Sequence, residues 1–106
     1  MNSNSLEKKD LIDRIVRMEK ILDEAGPLLS EMESLLDRYE KILPELKILF
    51  DYYHSPTWMA DHDEDEQGKI PSHVKRGVLS EDAIWNLETE QQCICKQLQK
   101  ILEELS

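Results

Sequence analysis

The densest charge on this chain is the run Asp61-His62-Asp63-Glu64-Asp65-Glu66. Just inside it, Asp63, Asp65 and Gln67 stand at alternate positions and Gly68 follows. Oxygen donors at alternate residues ahead of a turn glycine are part of what a calcium-binding loop of the EF-hand kind requires. The bidentate Glu that closes such a loop falls at position 74, which is Val74, and Pro71 limits the loop's path. The spacing therefore supports only a weak metal site at Asp63, Asp65 and Gln67, with looser attraction for cations. Repulsion among adjacent carboxylates favours an extended, solvated loop for the run.

Other reactive side chains are scattered. His54, His62 and His73 show no paired spacing of the kind zinc needs, and the carboxylates beside His62 favour its charged form. Cys93 and Cys95 lie two apart in a segment of helical period, so their side chains diverge and cannot bridge. Cys95 is expected as core filler and Cys93 as the more exposed thiol. No nucleophile with a base and no phosphate-cradling loop is present, so neither a catalytic residue nor a cofactor is expected.

Composition narrows the classes further. The chain has 106 residues, of which 23 are Asp or Glu and 13 Lys or Arg, for a net charge of -10. Such a balance argues against nucleic acid and anionic membranes as partners, because both select clustered bases. An apolar share of 40% favours a folded chain over a disordered tail. No apolar run is long enough for a membrane span, nor is there a secretory signal near Met1, so a cytoplasmic location is expected.

The elements that must position these residues read as helices. Leu11, Ile15, Met18, Leu22, Ala25, Leu29, Met32, Leu36, Tyr39, Leu43, Leu46, Phe50 and Tyr53 alternate at steps of four and three. This is a heptad seam. Ile21, Leu28, Leu35, Ile42 and Leu49 widen it, as a bundle core would. Residues 6–54 are thus a long helix, kinked or broken at Gly26-Pro27, with Ser30 and Glu33 a possible capping box for a second piece. Residues 55–80 lose the period and read as an acidic loop. Residues 81–105 form a C-terminal helix, with Ser80 as N-cap, Glu81 and Asp82 in the first turn, and the seam Ile84, Leu87, Gln91, Ile94, Leu98, Ile101, Leu105.

The fold expected is a single all-α domain, a coiled-coil-like bundle in which the long helix packs antiparallel to the C-terminal one. One short helix cannot cover the stripe of another twice its length. Either the long helix folds back at Gly26-Pro27 into a monomeric three-helix bundle, or a second chain covers the remainder. The kinked helix is preferred, and with it a homo-oligomer, in the simplest case a dimer.

The string Lys75-Arg76-Gly77-Val78-Leu79-Ser80-Glu81-Asp82, with Asn86-Leu87 after it and Leu43-Pro44 and Tyr52-Tyr53 before it, resembles the small bacterial proteins grouped as domain of unknown function 4298. Trp58, the acidic run and Gly68-Lys69-Ile70-Pro71 are similar to the loop of that family, and the likeness runs from about Leu11 to Leu102. It implies a short, all-helical, bacterial cytoplasmic protein with no assigned activity, and it supplies no site residues. Gly26-Pro27 departs from the family's pattern.

The same string has two physical readings. It forms either an ordered turn, with Arg76 paired to a carboxylate of the long helix, or a partner-binding corner of Trp58, Lys75, Arg76, Ser80, Glu81, Asp82 and Trp85. The function expected is a non-enzymatic, self-associating protein–protein interaction module. Cation sensing through the acidic loop and acidic mimicry of nucleic acid are the alternatives.

Overall fold

The computed structural model describes residues 2–106. The chain is all-α: α1 (Asn2–Tyr53), α2 (Pro56–Glu66), a single 3-10 turn at Gly77–Leu79, and α3 (Ala83–Leu105). It divides into two units, residues 1–42 and residues 43–106.

The described residues of the first unit are the part of α1 up to Ile42. The helix runs without interruption through Gly26-Pro27, and Ser30 and Glu33 lie inside it rather than capping a second helix. Pro27 removes one rung, the bond its N–H would have given to the carbonyl of Asp23. Gly26 keeps a negative φ and so does not end the helix. The fold-back that a three-helix bundle needs does not occur. The seam is helical as expected but uncovered: Leu22 and Leu29 are 64% and 63% exposed.

The second unit holds the core. Trp58, Leu79 and Ile84 are its buried residues, with Leu49, Phe50, Tyr52, Tyr53 and Ile70 packed around them. Here α3 runs antiparallel to the end of α1. The Tyr53 hydroxyl donates to the carbonyl of Glu81 at 3.1 Å. His54 Nε2 donates to both carboxylate oxygens of Glu88 at 2.8 and 2.9 Å. Further back along α1, Leu43, Leu46 and Phe50 share a groove with Gln91.

The acidic run is helix α2, a correction to the expected loop. Ser55 caps it, its Oγ accepting from Trp58 N at 3.4 Å, and Pro56 occupies the first turn, where its missing N–H costs nothing. At the other end Gly68 adopts φ 71°. Gly68 N then bonds to Asp65 O at 3.0 Å and Lys69 N to Glu64 O at 3.1 Å, a Schellman closure. The boundary of α3 also shifts. Ser80 ends the 3-10 turn, its hydroxyl donating to Gly77 O at 2.8 Å, while Asp82 takes the N-cap position without a side-chain bond.

Two glycines make opposite predictions. A Cβ at Gly26 meets nothing within 4 Å, so Gly26→Ala should stabilise α1 by about 1 kcal/mol from helix propensity. Gly68 is also unhindered but left-handed, so Gly68→Ala should destabilise α2 by about 1 kcal/mol. Thermal unfolding followed by circular dichroism should show Tm rising for the first and falling for the second.

Candidate functional site

The buried side chains cluster at the corner where α2, the 3-10 turn and the start of α3 meet. Trp58 is its centre. It is 7% exposed, and its indole Nε1 donates to Val78 O at 2.9 Å. His62, one turn on, stacks on Trp58 with centroids 5.1 Å apart and planes 13° from parallel. Tyr53 meets the same indole edge-on at 5.0 Å.

His62 ties the corner together. Its Nδ1 donates to Leu79 O at 2.8 Å, which directs Nε2 toward Glu66 Oε1 at 3.2 Å and Glu81 Oε1 at 3.9 Å. The bond to the Leu79 carbonyl holds its pKa above the usual 6.5; burial opposes this, and the charges of Glu66, Glu81 and Asp63 add to it. The charged form expected from sequence is therefore favoured, but chiefly by a backbone carbonyl rather than by the acidic run.

The acids of the run are used one by one. Tyr52 OH donates to Asp61 at 2.6 Å; burial first, then that bond, pushes the phenol up to about 12. Asp65 receives Arg76 at 2.8 Å, and Glu64 lies 3.4 Å from Lys69. Arg76 thus pairs with α2, not with the long helix.

This geometry disposes of the calcium-like loop. On a helix, side chains two residues apart point to different faces, so Asp63 and Asp65 do not converge, and Asp65 is already committed to Arg76. The donors that do converge are His62, Glu66 and Glu81, whose ligand atoms lie within 4.8 Å of one another. They could receive a divalent cation, although both carboxylates are exposed.

The proposed partner-binding corner separates into two groups. Trp58 is core, Ser80 and Arg76 hold the turn, and the Glu81 carbonyl is bonded to Tyr53. The Asp82 carbonyl accepts from Asn86 N at 2.8 Å and begins α3. Lys75 is exposed, and so is Trp85, which lines a shallow groove with His54, Pro56 and Met59. Cys93 and Cys95 are both exposed free thiols, so Cys95 is not the core filler expected. Among the described residues, nothing covers its face of α3. Sequence reasoning missed Tyr52, Asp61 and Leu79 as members of the cluster. Ser55-Pro56 and Gly68 were the signals that could have revealed α2.

The corner is assembled from the residues that carried the family likeness: the Arg76–Asp82 string, Tyr52-Tyr53 and Trp58. A family model for a domain of unknown function, DUF4298, matches residues 15–101. The chain belongs to the DUF4298 family. No curated protein and no solved structure matches it. In this DUF4298 chain the matched span covers most of α1 together with the whole corner.

Because the folded state raises the His62 pKa, the charged ring stabilises the corner fully below about pH 6.5, and that contribution is lost as pH rises through the raised value. In a Trp85→Phe background, melting followed by Trp58 fluorescence should show Tm falling as pH rises above about 6.5. His62→Gln should flatten that profile.

Proposed function

We propose that this DUF4298 chain is a non-enzymatic helical interaction module that associates with itself through the seam of α1. One observation carries the reading: the heptad seam begins at Leu11, and none of its large apolar side chains up to Ile42 is buried. A lone helix in water is marginal, because its stability in proteins comes from packing of the apolar face. A continuous apolar stripe of this length on a folded protein marks an interaction surface.

The three-to-a-heptad width of the stripe suits a coiled-coil bundle, and the acidic exterior keeps such an assembly soluble. Among the described residues no helix is long and apolar enough to cross a membrane. A cytoplasmic interaction protein is consistent with that and with the two free thiols.

Light scattering at tens of micromolar should return a multiple of 12.5 kDa. Leu22→Glu with Leu29→Glu should return the single-chain mass and a loss of helical circular dichroism. A wild-type chain that is strictly monomeric yet fully helical would contradict the proposal.

A further inference from the structure

Resting on that self-association, we infer that the occupant of the α1 face is a second copy of the same chain running antiparallel, with the two-fold axis between residues 23 and 24. Two independent features of the sequence on this helix lead there.

The first is the charge along α1. Five of the seven bases in residues 1–42 fall between Lys8 and Lys20, and with Asp10, Asp13 and Glu19 that stretch has a net charge of +2. The stretch Pro27–Tyr39 holds Glu31, Glu33 and Asp37 against Arg38 alone, a net of -2. A parallel, in-register pair sets +2 on +2 and -2 on -2, whereas the antiparallel pair sets opposite signs together. Residues 43–106 hold 13 acids and 6 bases, a net of -7. At physiological salt, charges within about 8 Å interact and more distant ones are screened, so it is the facing segments that decide the orientation.

The second feature is the seam. Its positions alternate at steps of three and four, and reversing one helix brings each kind opposite the other. With the axis between 23 and 24, Ile15 faces the partner's Met32, Met18 faces the partner's Leu29, and Leu22 faces the partner's Ala25. Other reversed registers also match the seam. This one overlaps residues 5–42, the uncovered part of α1, and leaves residues 43–106 outside the pairing. It is also the register that sets Lys8–Lys20 against Pro27–Tyr39. Gly26 and Pro27, the weakest stretch of the helix, then fall near the middle of the paired length, with Pro27 on the outer face.

The test uses the full chain with Cys93 and Cys95 replaced by Ser and one spin label attached at Asp13→Cys or at Lys20→Cys, both on the face opposite the seam. At ~1.5 Å per residue, the antiparallel register separates the two labels along the axis by about 32 Å at position 13 and by about 10 Å at position 20. Double electron–electron resonance should therefore give a clearly longer distance at 13 than at 20. A parallel pair gives equal distances at the two positions, and a multimer with that result overturns this antiparallel register while leaving self-association intact. A single-chain mass by light scattering, with no dipolar signal, overturns the self-association itself.

Discussion

Everything in this molecule turns on how little of it is buried by its own chain. Forty per cent of the residues are apolar, yet among the described residues only Trp58, Leu79 and Ile84 form the core. Hydrophobic burial is the main favourable term in folding, so a helix with an uncovered stripe lacks the interaction that would hold it. The part of α1 in residues 1–42 has that stripe, and residues 43–106 have a small aromatic core of their own. The chain thus combines a segment that needs cover with a segment that closes on itself.

The closed segment is built from polar pairings around one indole. Burial of Trp58 leaves its N–H needing an acceptor, and Val78 O provides it. The 3-10 turn that presents Val78 and Leu79 is fixed in turn by Ser80, and Leu79 O selects the proton position on His62. Each acidic residue that packs against the corner does so through a particular donor: Asp61 through Tyr52, Asp65 through Arg76. The exposed Arg76–Asp65 ion pair is worth about 0 to 1 kcal/mol, so it sets geometry more than stability. The aromatic contacts carry the packing.

The division between what could and could not be read from sequence follows the range of the interactions. The α1 seam was legible from Leu11 to Tyr53 because a period is a local property. So was the question at Gly26-Pro27, whose answer was not local: a Gly and a Pro inside a helix each cost stability, and only the whole helix decides whether it continues. Helix α2 was misread because repulsion between neighbouring acids was weighed above the caps at Ser55-Pro56 and Gly68. The site residues were recognised individually, but their pairings were not. His62 with Leu79, Tyr52 with Asp61 and His54 with Glu88 join residues 17, 9 and 34 apart, and no spacing rule encodes them. The calcium-like pattern failed for the converse reason, since its spacing has meaning only on a loop.

On the proposed self-association, residues 5–42 are held as a helix by another chain rather than by their own. Amide hydrogen exchange measured as a function of protein concentration tests it most directly, because an association that stabilises the folded helix must weaken on dilution. Amides of residues 5–42 should be protected at tens of micromolar and lose protection at nanomolar concentration, while the amides around Trp58 and Ile84 keep theirs. Protection of residues 5–42 that is the same at both concentrations would contradict it.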